Sequence, residues 1–464
     1  MSDSVNELLL TGGRVIDPAS GLDQIGDVLL RHGRIAAVGP DAARGAAPQA
    51  KRIDVSGQVV CPGLIDLHVH FREPGQTKKE DIASGAQCAA RGGFTSVVCM
   101  PNTNPSLDSP ATVALVLDRA RTACVNVFTT GALTKGIAGE ELASIGALAK
   151  AGVVALSDDG HCIQNNDLMR RACEYARMFG LPVMDHCQDY SLVRDGVMHE
   201  GWYSTMLGLA GWPSAGEEMI VARNILLAEQ TGTPIHCQHM SAAGSVRLIR
   251  EAKKRGVPIS GEACSHHFTL TDAALAGSAE FWKTDGAELA QRLFAGRELP
   301  VWPSFHTHFK MNPPLRTAAD REAILEGLAD GTLEIIASDH APHTETEKEQ
   351  EFAYAPFGIL GLEVELALSL TQLLHTGRMT LPALLAKLTC NPARFLKLPD
   401  QRGTLAVGAA GDVTVFDPNA VWISRREETA SKSRNNPFHD WPLRGRPTLT
   451  IVGGQIAWER PQPW

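Results

Sequence analysis

The stretch VVCPGLIDLHVHF, residues 59–71, decides the fold, because a short apolar run there ends in polar residues. Seven later stretches have the same form, and patterns with apolar residues at three- and four-residue spacing separate them. These later runs are TSVVCMPNT (95–103), VNVFTTGAL (125–133), GVVALSDDG (152–160), LPVMDHCQD (181–189), TPIHCQHMS (233–241), VPISGEACSHH (257–267) and LEIIASDHAPH (333–343). Such alternation of strands and helices implies right-handed crossovers and a parallel sheet.

Eight strand–helix units predict an α/β fold in which the strands close into a (β/α)8 TIM-like barrel. An open, doubly wound sheet is the alternative arrangement of the same units. In a closed barrel the active site lies at the carboxyl ends of the strands, which is where the polar residues of these runs occur.

The two ends of the chain have a different pattern. Residues 1–56 contain LLLTGGRVID and DVLLRHGRIAAVG, and residues 402–464 contain GDVTVFDP and PTLTIVGGQIAWE, all of which are typical of short strands. Neither end is long enough for a core of its own, so we expect one small composite β-sandwich domain beside a barrel of residues 57–401. Residues 273–309 form an extended connection in the seventh unit, and such long connections are usually functional or flexible.

Composition limits the class of protein. The 464 residues are 44% hydrophobic and 20% charged with a formal net charge of −9, which gives no reason to expect nucleic acid or an acidic membrane as partner. We read no signal peptide and no apolar run long enough to cross a bilayer. The ten cysteines are scattered without a CxxC pair, so we expect free thiols and a cytoplasmic location.

The polar residues at the strand ends suggest a metal centre. His68 and His70 are two apart on a strand and face the same side, although such a pair alone is weak evidence and can be simply polar. Carboxylates and further imidazoles end the later runs, at Asp158, Asp159, His186, His239 and Asp339. Buried acids without a cation are costly, and imidazole with carboxylate suits Zn²⁺. The number of ligands suits two zinc ions that share a bridging group.

Seven motifs together resemble one family. They are DLHVHFREPGQ, MPNTNP, SDDG, MDHC, QHMS, KMNPPLR and SDHAPH, and in this order they are similar to the dihydroorotases of the amidohydrolase superfamily, specifically the longer bacterial type. The resemblance covers nearly the whole chain. The 273–309 connection is bulkier than expected for that type, which affects the rim of the site and the assembly contacts rather than the chemistry.

The resemblance implies a role for each candidate ligand. His68 and His70 would hold one zinc with Asp339, and His186 and His239 would hold the second. Asp159 would bridge the two ions, with Asp158 behind it. Hydantoinases, dihydropyrimidinases and allantoinases usually have a carboxylated lysine where this chain has LSDDG, and no lysine occurs between Lys150 and Lys253.

The resemblance also implies a substrate site. Besides His70, it would consist of Arg72, Asn102, Asn312, His343 and the Phe357–Gly358 backbone. An arginine fork binds a carboxylate, which dihydroorotate carries and simple hydantoins lack; by itself, Arg72 is equally compatible with a surface ion pair. His266 and His267 are near strand seven and could contact the site. The other histidines are expected to be structural or exposed, namely His32, His161, His199, His306, His308, His375 and His439.

The implied reaction is the reversible cyclisation of N-carbamoyl-L-aspartate to (S)-dihydroorotate and water, the third step of de novo UMP synthesis. A zinc-held hydroxide would attack the ring amide carbonyl, and Asp339 would carry the proton to the departing nitrogen. One alternative is another cyclic amidohydrolase of the hydantoinase or allantoinase kind. Another is an inactive partner of aspartate transcarbamoylase, which is disfavoured because all six ligands are present. We expect a small-molecule substrate and a homo-oligomer, and partnership of an active enzyme with the transcarbamoylase stays open.

Overall fold

The computed structural model describes residues 7–461, whose strands form two large sheets and one short pair. The first nine strands are β1 (Glu7–Asp17), β2 (Leu22–Arg31), β3 (Arg34–Gly39), β4 (Lys51–Asp54), β5 (Val59–Pro62), β6 (Leu64–Val69), β7 (Phe94–Cys99), β8 (Asn126–Gly131) and β9 (Ala155–Leu156). The others are β10 (Val183–Asp185), β11 (Met198–His199), β12 (Gly211–Trp212), β13 (Ile235–Cys237), β14 (Ile259–Cys264), β15 (Ile335–Ala337), β16 (Val413–Ile423), β17 (Pro442–Val452) and β18 (Gln455–Glu459).

Helices follow most of the central strands. The first eight are α1 (Ile82–Arg91), α2 (Pro110–Ala120), α3 (Ile145–Ala151), α4 (Asn166–Met178), α5 (Tyr190–Val193), α6 (Trp202–Leu207), α7 (Ala215–Thr231) and α8 (Ala243–Lys254). The remaining ones are α9 (Ser278–Lys283), α10 (Ala287–Leu289), α11 (Ala318–Ala329), α12 (Glu345–Lys348), α13 (Glu365–Ser369), α14 (Leu381–Leu388) and α15 (Cys390–Leu396). Several begin at residues that suit a helix start: Asp81 and Ser84 form a capping box on α1, and Ser109 with Pro110 starts α2.

The central sheet is a closed barrel. Its eight strands pair in the order β15-β14-β13-β10-β9-β8-β7-β6, and every pair is parallel. Val69 forms a parallel bridge with His340, just after β15, and the amide of His70 donates to the carbonyl of His340 at 2.9 Å. The ends of the sheet therefore meet. The predicted α/β barrel is confirmed, and the open doubly wound alternative is wrong.

The second large sheet contains strands from both ends of the chain. Its order is β18-β17-β16-β5-β1-β2-β3, with β4 also paired to β1, so the hydrogen bonds run through one continuous composite sheet. The division into domains at residues 1–56 plus 402–464 and 57–401 stays an interpretation.

The stretch 59–71 is two strands rather than one. β5 pairs with β16 in the terminal sheet, whereas β6 starts the barrel. Gly63 separates them at a point of close approach, because a Cβ there would lie 2.0 Å from the hydroxyl oxygen of Thr95. The dipeptide Pro62–Gly63 is the sequence signal of this change of partner, and treating 59–71 as one run overlooked it.

The 273–309 connection is packed rather than loose. Phe281, Trp282 and Trp302 are buried in one hydrophobic group, which also includes Trp441 from the C-terminal region. The indole N–H of Trp302 donates to the carbonyl of Ala274 at 2.8 Å. The extra length therefore packs into a second hydrophobic core that it shares with the C-terminal region.

Candidate metal centre and substrate cavity

The six predicted metal ligands come together at the carboxyl ends of the barrel strands. One lies within β6, another directly after it, and the others follow β9, β10, β13 and β15 within three residues. All six are buried: His68, His70, Asp159, His186, His239 and Asp339. Parallel strands of a barrel deliver their carboxyl ends to one mouth, so residues far apart in the chain converge.

Asp159 lies at the centre of this group. Its Oδ1 is 3.4 Å from His68 Nε2, and its Oδ2 is 3.4 Å from His70 Nε2. The same Oδ1 is 3.6 Å from His186 Nδ1 and 3.7 Å from His239 Nε2. One carboxylate therefore touches all four imidazoles.

Asp339 faces the same imidazoles from β15. Its Oδ1 lies 3.0 Å from His70 Nε2 and 3.6 Å from His68 Nε2. Two compact groups of potential ligands share His68: one with Asp159 and His239, the other with His70 and Asp339.

The donor atoms fit a metal. Among residues 7–461, neither His68 Nε2 nor Asp159 Oδ1 has a hydrogen-bond partner, although both atoms are buried. Buried polar atoms left without a partner are costly, and imidazole nitrogens with carboxylate oxygens are the donors that zinc prefers. The group is therefore a candidate binding site for divalent cations.

Electrostatics hold the ligand carboxylates ionised. Burial alone would raise the pKa of Asp159, but the contacts with His68, His186 and His239 hold that pKa well below its usual range. Asp339 behaves in the same way: burial opposes ionisation, while His68 and His70 keep its pKa below the usual range.

Glu262 of β14 supports two of the ligands, and sequence reasoning missed it. Its Oε1 lies 2.6 Å from His68 Nδ1 and accepts from the backbone amide of His239 at 3.1 Å. Its Oε2 lies 3.0 Å from His236 Nε2. Because this carboxylate accepts a hydrogen bond from Nδ1–H of His68, the lone pair on Nε2 of the same ring is free to bind a metal. The signal that could have found Glu262 is an acidic residue inside the buried, otherwise mostly apolar strand ISGEAC.

We expect Glu262→Gln to lower metal affinity by about 10- to 100-fold, the usual effect of losing a partner behind a ligand. The amide keeps the size of the side chain but cannot orient the His68 ring as a carboxylate does. Metal retained after dialysis against graded chelator measures the change. Unaltered retention in the folded variant would show that His68 needs no orienting carboxylate.

Amides orient two other ligands. His70 Nδ1 lies 2.9 Å from Asn102 Oδ1, so Asn102, predicted to contact substrate, also contacts a ligand. His186 Nε2 lies 2.8 Å from Gln188 Oε1, which also accepts from Asn312 Nδ2 at 3.2 Å. Gln188, another residue that sequence reasoning missed, therefore links the ligand group to Asn312.

Asp158 points away from the ligand group. Its Oδ1 accepts from the backbone amides of Leu133 and Thr134 at 2.8 and 3.0 Å, and the Thr134 hydroxyl donates to its Oδ2. Burial raises its pKa to about 6. Asp158 thus secures the loop after β8, while its neighbour Asp159 faces the imidazoles.

A cavity of about 310 Å³ opens above the ligands. It is lined by every predicted substrate residue and by all predicted ligands except His68, which lies behind them. The lining residues are His70, Arg72, Asn102, Asp159, Gly160, His186, His239, Asn312, Asp339, Ala341, His343, Pro356, Phe357 and Gly358.

Arg72 and His343 form one wall of this cavity. Arg72 is buried, and its guanidinium donates from Nε to the carbonyl of Pro342 at 3.2 Å and from Nη2 to His343 Nε2 at 3.3 Å. It forms no salt bridge with any carboxylate between residues 7 and 461. The interpretation of Arg72 as a surface ion pair is therefore wrong.

Three site residues have strained backbones. Arg72, His239 and Asp339 have φ values of 59°, 38° and 46°, a region that residues other than glycine rarely adopt. Such strain commonly accompanies residues whose side chains must be held in one direction.

His266 and His267 are buried but do not line the cavity. With Cys264 they form a third compact group of potential ligand atoms. Burial, together with Asp339, Glu262 and other nearby acids, raises the pKa of the Cys264 thiol well above its usual value, which disfavours the thiolate that a metal needs.

The remaining histidines line no part of the cavity within the described chain. Two examples are His199, whose Nδ1 accepts from Arg316 at 3.2 Å, and His375, whose Nε2 donates to the carbonyl of Pro418 at 2.9 Å.

Between residues 7 and 461 the structure has no helix that is long and apolar enough to span a bilayer.

Comparisons with known proteins show relatives over nearly the whole chain. Residues 57–245 match the model of a family described as dihydro-orotase-like, and residues 360–457 match an amidohydrolase family. The chain is 48% identical to a dihydroorotase of Citrifermentans bemidjiense over 97% of its own length and 99% of that protein. It is also 48% identical to a dihydroorotase of Pelotomaculum thermopropionicum, over 97% and 98% of the two chains.

Solved structures share the fold. An L-hydantoinase from Arthrobacter aurescens superposes with a TM-score of 0.81 at 22% identity, over 98% of this chain and 96% of that one. A dihydropyrimidinase from Brevibacillus agri gives a TM-score of 0.79 at 20% identity, over 97% and 94%. At such identities the likeness concerns the fold alone.

Proposed function

Because the chain belongs to the dihydroorotase family, we propose that the cavity at its barrel mouth interconverts N-carbamoyl-L-aspartate and dihydroorotate, the third step of pyrimidine biosynthesis. The observation that carries this choice of substrate is Arg72, a buried guanidinium in the cavity wall without a carboxylate partner in the described chain. Burial lowers its pKa to about 10, which leaves it charged at neutral pH.

A buried cation without a counterion is costly, and an anionic ligand removes that cost. The ring carboxylate of dihydroorotate supplies the anion, and the guanidinium can bind it through two N–H groups. His343 would share this carboxylate through an N–H group. Burial, with Arg72 and Lys79 nearby, holds the pKa of His343 far below its usual range, so its ring stays neutral and Arg72 supplies the positive charge.

We propose two zinc ions as the cofactor. His68, His70 and Asp339 would hold one, His186 and His239 the other, and Asp159 would be shared, in keeping with its contacts to all four imidazoles. When bound, zinc lowers the pKa of water and polarises a carbonyl, which is the activation that amide hydrolysis requires.

The protein's own residues provide orientation and proton transfer. In hydrolysis the ring amide C–N bond breaks, water oxygen adds to the carbonyl carbon, and Asp339 moves a proton from the water to the departing nitrogen. In cyclisation the same carboxylate returns the proton as water leaves. Asn312 Oδ1, which has no partner within residues 7–461, can accept from a ring N–H, and the backbone at Phe357 and Gly358 borders the ring.

A substrate panel tests this function. Wild-type protein loaded with zinc should hydrolyse dihydroorotate, and should act poorly on dihydrouracil and hydantoin, which lack the ring carboxylate. Comparable turnover of all three would favour the hydantoinase-like alternative. A metallated protein that turns over none of them would favour the inactive partner of aspartate transcarbamoylase.

We expect Arg72→Met to depress kcat/KM for dihydroorotate by roughly 30- to 1000-fold, because losing a charged donor of this kind costs about 2–4 kcal/mol. Zinc content should stay normal, since Arg72 contacts Pro342 and His343 rather than a ligand. Steady-state kinetics with metal analysis on the same preparation provides the measurement. If Arg72→Met changes nothing, and wild type accepts dihydrouracil equally well, dihydroorotate is the wrong substrate.

We further propose that the protein works in the cytoplasm as a homo-oligomer, and that aspartate transcarbamoylase is its candidate protein partner. The scattered, mostly buried free cysteines support a reducing compartment. Light scattering of the chain, alone and mixed with the transcarbamoylase, tests both assemblies.

A further inference from the structure

Lys348, the last residue of α12, is a buried cation that neither the ligand group nor the cavity lining includes. Only 3% of its surface is exposed. Its ammonium group donates to three backbone carbonyls: Pro356 at 2.8 Å, Gly358 at 3.1 Å and Lys310 at 3.4 Å. No salt bridge joins it to a carboxylate of the described chain. Its three N–H groups therefore have three acceptors and no counterion.

Two of these carbonyls belong to the cavity wall. Pro356 and Gly358 line the cavity on either side of Phe357, and the amide of Gly358 donates to the carbonyl of Lys310 at 2.9 Å. Lys310 lies two residues before Asn312, which also lines the cavity. One ammonium group thus joins two segments that carry lining residues of the cavity, one with Asn312 and the other with Pro356–Gly358.

The wall is closely fitted at this point. Gly358 has a φ of 131°, and a Cβ there would lie 2.8 Å from Ala341 Cβ and 3.1 Å from His343 Cδ2. Asn435 Nδ2 also donates to the carbonyl of Gly358 at 3.0 Å. A small shift of Gly358 would therefore disturb both His343 and the space for a ring.

An apolar side chain of the same length would fill this volume without the cost of burying a charge. It would leave the carbonyl of Pro356 without this donor, whereas the carbonyls of Lys310 and Gly358 would keep the N–H groups of Gly358 and Asn435. An unsatisfied buried carbonyl favours rearrangement of the chain that carries it, here the Pro356–Gly358 wall. The ammonium group is thus explained by the need to hold these carbonyls in one arrangement.

We propose that Lys348 is a positioning residue that fixes the Pro356–Gly358 wall against the substrate ring and thereby sets KM. The inference rests on the proposed function, because it concerns the same cavity. Lys348 contacts no ligand of the metal group in the structure, so kcat should depend on it far less than KM does.

The surroundings of Lys348 make its charge sensitive to pH. Burial, and then the nearby Lys310, lower the pKa of Lys348 to about 7, and Glu347 opposes them. The adjoining surface depression also contains Glu345, Glu349 and Arg426, with two histidines, His306 and His308, whose pKa values burial lowers. A neutral amine has two N–H groups and would turn a lone pair towards one of three carbonyls.

The test compares Lys348→Met with Lys387→Met. Lys387 is a matched control, because it is also buried and donates to one backbone carbonyl, that of Leu333 at 2.6 Å, at the start of the stretch that leads into β15. For zinc-loaded protein at pH 6.5 we expect Lys348→Met to raise KM for dihydroorotate roughly tenfold, with kcat within about threefold of wild type. Lys387→Met should lower Tm and leave KM unchanged.

A pH series distinguishes a positioning role of the Lys348 ammonium group from a general loss of packing in the variant. The ratio of the KM of Lys348→Met to that of wild type should shrink as pH rises from 6 to 9, because wild type itself loses the ammonium. Lys348→Gln, which keeps uncharged donors, should have an intermediate KM whose ratio to that of Lys348→Met stays constant with pH.

Three results would overturn the inference: an unchanged KM in folded Lys348→Met, equal changes of KM in the Lys348 and Lys387 variants, or failure of both Lys348 variants to fold. Wild-type activity distinguishes failure of the positioning role from failure of the proposed function. If wild type does not turn over dihydroorotate, the function is wrong. If wild type is active and KM does not respond to Lys348, only the positioning role is wrong.

Discussion

Asp339→Asn is expected to lower kcat by about 10²- to 10⁴-fold while the protein keeps its fold and much of its metal, because general acid–base catalysis contributes a factor of this size. The amide has the shape of the carboxylate and retains one oxygen. That oxygen can take the place of Asp339 Oδ1, which lies 3.0 Å from His70 Nε2. It cannot accept and return a proton. Both directions of the reaction should therefore slow by a similar factor.

The measurement is kcat in each direction together with metal content per chain. Far-ultraviolet circular dichroism controls for the fold, because Asp339 has a φ of 46° and its backbone depends on its surroundings. Near-normal kcat in a well-metallated Asp339→Asn protein would remove Asp339 from proton transfer. Loss of both metal and activity would instead make it chiefly a ligand.

The barrel could be predicted because its signal is local and repeated. Each central strand is a short buried run that polar residues follow, as His70 follows β6 and Ser338 and Asp339 follow β15. Parallel strands place these ends at one mouth, so the polar residues after the strands were enough to predict a metal centre there.

The support behind the ligands could not be predicted in the same way. Glu262 and His68 are 194 residues apart in sequence, and their contact depends on the cross-section of the closed barrel. Lys348 acts on backbone carbonyls, which are the same in every sequence. At Gly63 the Pro62–Gly63 dipeptide marks a break, but the close approach of Thr95 that requires a glycine there is a long-range contact that the sequence does not reveal.

The sequence alone could not separate Asp158 from Asp159, since both follow β9 and both are buried. Only their surroundings distinguish them. Asp158 accepts from the amides of Leu133 and Thr134, whereas Asp159 Oδ1 has no hydrogen-bond partner within residues 7–461 and faces the imidazoles. The two residues therefore form a natural pair of test and control.

Asp159→Ala is expected to lower metal content and to abolish measurable turnover. The carboxylate lies within 3.7 Å of a nitrogen of each of the four histidines, and no other carboxylate of the described chain makes contacts of this kind with all four. Without it, two cations at the barrel mouth would lose their shared anion and repel one another with less compensation. Metal per chain after gel filtration, and turnover of dihydroorotate, measure the two losses.

Asp158→Ala is the matched control. It removes an adjacent buried carboxylate and should leave metal content close to that of wild type. The substitution should instead lower the free energy of unfolding by about 1–3 kcal/mol, because the amides of Leu133 and Thr134 lose their acceptor. If Asp159→Ala instead retains two metals per chain while Asp158→Ala loses them, the bridging role belongs to Asp158. If both variants retain two metals, neither carboxylate bridges, and the two ions are held together without a shared protein ligand.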